Sequence, residues 1–238
     1  VEIMSGLKLL TMESAKTIKG APLGYLTGIL YLAPAFESGV INTCPMATAG
    51  CKAGCLYTAG LAGVFPKIQI ARVNKTLWLA RDRAGFMEQL RADIRAIVTK
   101  AGKIGMIPCI RVNGTSDLPQ IAMQLASEFP EVQFYDYTKI PRPWQRTRPN
   151  YHVTFSLSES NFQDAHDCLQ HGLNVAVVFN VKRGHELPVS WRGFPVIDGD
   201  THDLRFLDSH RLGLVIGLRA KGKAKKDTLG FVQIAKLG

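Results

Sequence analysis

The chain has 238 residues, 46% of them hydrophobic and 20% charged, and its 29 Lys and Arg against 19 Asp and Glu give a net charge of +10. That balance describes a globular chain with a substantial core, and the absence of a fixed repeat period or a biased tract excludes repeat and low-complexity architectures. A positive field of this size favours polyanionic partners, with nucleic acid first, then nucleotides or an anionic membrane surface.

The length suits a single β/α domain over residues 1–238. The start of the chain shows no basic stretch followed by a long apolar run, and the apolar run near residues 29–36 is broken by Pro34 and too short to span a bilayer. Cytoplasmic residence with reduced thiols is the expectation, with no membrane partner. Oligomeric state is not readable.

In chain order, residues 24–34 read as a strand, rich in aromatic and β-branched residues and bounded by breakers. It leads into the stretch 42–60, where Cys44, Cys51 and Cys55 fall within twelve residues at C-x6-C-x3-C spacing. Small residues separate them (Ala47, Thr48, Ala49, Gly50, Ala53, Gly54), which lets a backbone fold tightly so that several thiolates meet. Thiolates are the soft ligands that zinc and iron–sulfur clusters select. Five cysteines in a chain of this length do not form the even framework of a small secreted domain.

Residues 61–75 read as a loop, because Pro66 opposes a helix across them. From 76 to 101, Leu79, Phe86, Leu90, Ile94, Ile97 and Ala101 recur at helical spacing, with Gly85 as a point of division. Short apolar runs follow at 106–112, 132–138, 151–157, 174–181, 195–197 and 212–218, starting roughly twenty residues apart. Their near-continuous hydrophobicity is the mark of strands covered on both faces. Asp117 and Ser160 each begin a cap-x-x-Gln pattern ahead of an apolar helix. Strand, cap, helix, strand predicts a partial or complete (β/α) barrel with mainly parallel strands, and an open doubly wound sheet is the alternative. Cys109, within a strand, and Cys168, on the apolar side of a helix, read as core residues.

In either architecture the ligand site lies at the carboxyl ends of the strands, and those ends are polar here. Asn113, Ser116 and Asp117, in the run Asn113-Gly114-Thr115-Ser116-Asp117, are candidates to bind a cofactor carboxylate or phosphate through a nest of backbone donors. Asp198, Asp200 and Asp203 are candidates for magnesium in a nuclease or phosphotransferase, or else simple turn and cap residues. His202 and His210 are weaker candidate ligands. Cations cluster at Lys67–Arg83, at Lys139–Arg148 and at Arg219–Lys226. In the middle cluster Arg142, Arg146 and Arg148 interleave with Trp144, the mix of cation and aromatic that single-strand binding surfaces use, and Lys221 and Lys223 of the last cluster are further candidate nucleic-acid contacts.

The phrases NTCPMATAGCKAGCLYTAG, RVNGTSD, QFYDYTK, YHVTFSLSESN, VIDGDTHDLRFLD and GLRAKGKAKKDTLGF resemble a phage and plasmid family labelled gene product 88-like, over about residues 23–231. The resemblance implies residence in a mobile element within a host cell and carries no settled activity. More distantly, three clustered cysteines after the first strand of a β/α fold resemble the radical S-adenosylmethionine enzymes. That resemblance implies a [4Fe–4S] cluster on Cys44, Cys51 and Cys55, with the open iron taking S-adenosylmethionine. The spacing departs from C-x3-C-x2-C, and no glycine–glycine–glutamate motif follows. The leading expectation is an iron–sulfur protein acting on nucleic acid or a nucleotide, with radical chemistry as one route. The alternatives are a nucleic-acid-binding module with structural zinc and a magnesium-dependent nuclease or phosphotransferase.

Overall fold

The computed structural model describes residues 7–209 and 213–235. His210 and the first residue of the run 212–218 lie outside them. The described chain is a mixed α/β fold of two compact units, one built from residues up to 44, 67–136 and 148–151, the other from 45–66, 137–147 and 152 onward.

The first unit holds β1 (Leu10–Thr11), β2 (Tyr25–Leu30), β3 (Ile107–Arg111) and the start of β4 (Gln133–Thr138). β1 pairs antiparallel with β2, while β2 with β3 and β3 with β4 are parallel. Gly24, at φ +84°, closes the turn that launches β2, a conformation glycine adopts without strain. The helical stretch runs as α4 (Pro66–Arg81) and α5 (Arg83–Lys103). The loop expected over 61–75 is therefore corrected: Leu61–Val64 is a short helix, and Pro66 opens α4 at the one place where its missing N–H costs nothing. The division near Gly85 stands, with Asp82 capping α5 by accepting from the Gly85 N–H at 2.9 Å. α5 turns Phe86, Leu90, Ile94, Ile97 and Ala101 inward and packs on β1, β2 and β3.

The second unit holds β5 (Tyr151–Ser156, from its second residue), β6 (Val175–Phe179), β7 (Ser190–Trp191), β8 (Phe194–Asp198) and β9 (Val215–Arg219). β5, β6, β9 and β8 are successive parallel neighbours, and β7 adds antiparallel to β8. α7 (Phe162–Gln170) covers one face, with Ala165, Cys168 and Leu169 against Phe155, Val175, Val177, Phe179 and Val215. The expected parallel strands are present, but among the described residues they do not close into a complete barrel, because β1 and β7 remain end strands. Barrel closure needs a further partner for each end strand, and the antiparallel edge pairs supply none.

Neither predicted residue stands at the cap position of its helix. α6 (Pro119–Glu128) starts at a proline, which moves the cap position to Leu118, and the Leu118 N–H is taken by Asn113 Oδ1 at 2.8 Å. α7 has Asn161 at that position, with its Oδ1 accepting from the Ser158 N–H at 2.7 Å.

Gly114 sits where its N–H donates to the Leu30 carbonyl at 3.0 Å. A Cβ there would lie 2.7 Å from that carbonyl oxygen and equally close to Ile29 and Tyr31. Gly114→Ala is expected to lower stability by about 1–3 kcal/mol through overpacking, read as a lower urea midpoint. An unchanged midpoint would mean that the turn after β3 yields freely.

Candidate functional site

In the first unit, the turn between β3 and α6 carries Asn113, Ser116 and Asp117, all buried. The structure brings Asn113 and Ser116 together, but their polar groups are used on one another. Asn113 Oδ1 accepts from Ser116 Oγ (2.9 Å) and from Leu118 N, and the Asp117 N–H donates to the Thr43 carbonyl (2.7 Å). The donors that were candidates for a nest therefore hold the turn itself. Cys44 is fastened to the same turn, its Sγ 3.6 Å from the Thr115 carbonyl, and so lies at the carboxyl end of β3.

Asp136, on β4, is one of the polar residues near the strand ends that the sequence does not single out. Its carboxyl is 1% exposed and accepts from the Asn113 N–H (2.7 Å), from Asn113 Nδ2 (2.9 Å) and from the Tyr151 hydroxyl (3.3 Å). Burial pushes its pKa up to about 7, against the pull of the two Asn113 bonds and of Arg111. The signal was an Asp set between the aromatic residues Tyr135 and Tyr137 of a strand.

In the second unit the cysteine segment forms α2 (Ala49–Ala53), then a 3₁₀ turn at Leu56–Thr58. Thr48 caps α2, its Oγ accepting from the Cys51 N–H at 3.2 Å. Glu159, just beyond β5, clamps this start: one carboxylate oxygen accepts from Thr48 Oγ (2.7 Å), the other from the Gly50 N–H (2.6 Å). A Cβ on Gly50 would meet Glu159 Oε2 and Phe231 Cβ at 2.8 Å, so the glycine admits the clamp. Phe231 and Ala224 also abut Gly54, and Cys55 Sγ accepts from the Tyr57 N–H at 3.5 Å. Phe231 is delivered by the C-terminal segment, which runs beside β6 through Gln233. Cys51 thus lies on an element fastened at the carboxyl end of β5.

All five cysteines are free thiols. Cys44, Cys51 and Cys55 are partly exposed, whereas Cys109 and Cys168 are fully buried, and burial pushes the Cys168 thiol up to about 12. The sequence stretch therefore supplies three soft, reachable donors, and the other two cysteines pack as core. Among the described residues, no three His, Cys, Asp or Glu side chains form a ready metal cage.

The acidic run is engaged elsewhere. Asp198 and Asp200 pair with Arg219 at 2.8 and 3.2 Å, and Asp200 pairs with Lys221 at 2.6 Å. Burial works against the Asp200 charge, but the bonds from Lys221 and Arg219 outweigh it and hold the carboxyl below its usual range. Asp203 is buried, and His202 Nδ1 accepts from the fully buried Arg205 (3.0 Å), which also pairs with Asp208. Asp198 and Asp200 thus form a salt-bridged turn with Arg219 and Lys221.

The basic residues divide in the same way. Arg72 and Lys75 are buried, with Arg72 over the Tyr31 ring and Lys75 bonded to the Leu9 carbonyl. Arg146 donates to the Ile140 and Pro141 carbonyls, and Trp144 stacks on His171 at 4.4 Å. One face of that indole is thus already covered, and Lys221 is the ion-pair partner of Asp200. Arg142 and Arg148 are exposed. So are Lys223, Lys225 and Lys226, on a 3₁₀ turn (Gly222–Lys226) whose Ala224 touches Gly54 of the cysteine segment. No helix among the described residues is long and apolar enough to cross a membrane.

No curated protein and no solved structure matches the chain. A family model does, over residues 8–233, and by that match the chain belongs to the gene product 88 family.

Proposed function

We propose that this member of the gene product 88 family carries an iron–sulfur cluster on Cys44, Cys51 and Cys55 and acts on nucleic acid or a nucleotide in the cytoplasm of a host cell. The observation that carries the reading is the partition of the thiols. The three that crowd one stretch of sequence are reachable, and each belongs to an element fastened at the carboxyl end of a strand, β3 for Cys44 and β5 for the α2 segment. The two isolated ones are sealed in the core. Donor chemistry, rather than an assembled cage, supports the metal: soft thiolates in the reduced state suit an iron–sulfur cluster, and zinc is the second candidate. Three thiolates would leave one position of such a cluster for S-adenosylmethionine, the cofactor that the distant resemblance implies. The exposed lysines of the Gly222–Lys226 turn, beside the cysteine segment, favour an anionic substrate.

Anaerobic purification followed by iron and sulfide analysis is the test. The expected preparation is brown, with absorbance at about 400 nm. Cys51→Ala should abolish that absorbance, while Cys168→Ala should lower only stability. A colourless protein that retains zinc would replace the cluster with a structural site. A protein without metal whose colour and composition ignore Cys51→Ala would end the metal reading.

A further inference from the structure

β5 has one apolar face and one polar face. Phe155, with Leu157 beyond the strand, belongs to the core under α7. The alternate positions are His152, Thr154 and Ser156. Ser158 follows in the same alternation, because the ladder persists through the Leu157 N–H bond to the Ala176 carbonyl at 2.9 Å. Thr154 is fully buried and bonds His152 at 3.2 Å. Ser158 is 2% exposed, and its hydroxyl has no hydrogen-bond partner among the described residues. Burying a hydroxyl without a partner is unfavourable, so a serine at this position calls for a ligand.

A cation stands beside this stripe. Lys139 Nζ donates to Ser156 Oγ at 2.8 Å and lies 5.6 Å from the centre of the Phe231 ring. The neighbouring carboxylate, Glu159, has both oxygens engaged by Thr48 and Gly50. Asn161 fixes the backbone between the two serines, donating to the Ser156 carbonyl at 3.1 Å and accepting from the Ser158 N–H at 2.7 Å. An ammonium and two hydroxyls on a fixed backbone, at the carboxyl end of a parallel strand, match the needs of a tetrahedral anion.

We infer that Lys139, Ser156 and Ser158 form a subsite for a phosphate group, an inference that rests on the anionic substrate proposed above. Lys139 supplies the charge, and the serine hydroxyls turn their protons toward the phosphate oxygens. That phosphate can belong to a nucleotide or to single-stranded nucleic acid.

Titrations of the full chain with inorganic phosphate, with ATP and with a labelled single-stranded oligodeoxynucleotide separate the sources. Lys139→Met is expected to weaken binding of the true ligand class about tenfold or more. Ser158→Ala should weaken it several-fold while leaving the melting temperature unchanged or raised, because only a hydroxyl without a partner is removed. A lower melting temperature for Ser158→Ala would make that hydroxyl structural and overturn the subsite. So would wild-type affinity in both variants, or a wild type that binds none of the three probes. The absorbance of the Lys139→Met protein should equal that of the wild type. A colourless wild type that still binds phosphate through Lys139 would defeat the cluster and leave the subsite standing.

Discussion

Asp136→Ala is expected to cost about 3–5 kcal/mol of stability, since it leaves the Asn113 N–H, Asn113 Nδ2 and the Tyr151 hydroxyl without their buried acceptor. Those three donors tie the turn after β3 to β4 and to the start of β5, so the loss should spread through the first unit. The pH dependence has a definite sign. The folded protein holds the Asp136 proton up to about 7, whereas the ordinary carboxyl releases it at 3.8. Between those values the native state binds more protons than the unfolded chain, so the contribution of Asp136 to stability falls as pH rises through that window and is constant on either side. A shift of this size is worth on the order of 4 kcal/mol. Urea unfolding of wild type and Asp136→Asn across the window measures it: the wild type should lose stability relative to a variant that cannot titrate. A difference that is independent of pH would show that the carboxyl stays ionised throughout.

Glu159→Ala should release the cysteine segment. Without the carboxylate, Thr48 Oγ and the Gly50 N–H lose their acceptor, and the capping bond from Thr48 to the Cys51 N–H loses its support. Rates of alkylation at Cys51 and Cys55, followed by mass spectrometry, are expected to rise about tenfold or more, as local opening becomes easier by about 1.4 kcal/mol or more. Cys168, in the core, serves as the unreactive reference. Gly50→Ala should act in the same direction, because its Cβ would displace the Glu159 carboxylate or Phe231. Glu159→Gln, which retains one accepting oxygen, should fall between wild type and Glu159→Ala. Alkylation rates that ignore all three substitutions would mean that Ala224 and Phe231 hold the segment unaided.

Most strand positions were legible because a parallel strand covered on both faces is a short, nearly continuous apolar run. β3, β4, β5, β6, β8 and β9 each fall within a residue or three of such a run. The long helical pattern and its division near Gly85 were legible for a related reason: the apolar period repeats over many turns, and Asp82 offers a cap. Pro66 misled because the meaning of a proline depends on whether a helix begins at it or continues through it, and nothing local to residues 61–75 states which. The two caps misled similarly. Asp117 has the right chemistry, but Pro119 fixes the helix start one residue too late for it.

The sequence by itself determined the candidate donors and the sign of the field. Thiol spacing, small intervening residues and an excess of cations are properties of composition and order, independent of how the chain is folded. It also determined that the strands would run parallel, since apolar runs separated by helix-length connections can pair in few other ways. Only the tertiary structure decided which polar groups remain available. Asn113, Asp198, Asp200 and Lys221 look like ligands in the sequence and are bonded to other residues in the fold. Asp136, Glu159 and Ser158 stand in the sequence only among the many polar residues at strand ends and acquire their roles from burial and from neighbours distant along the chain. The physical reason is that a side chain's chemistry depends on desolvation and on its hydrogen-bond partners, and both are set by contacts far apart in sequence.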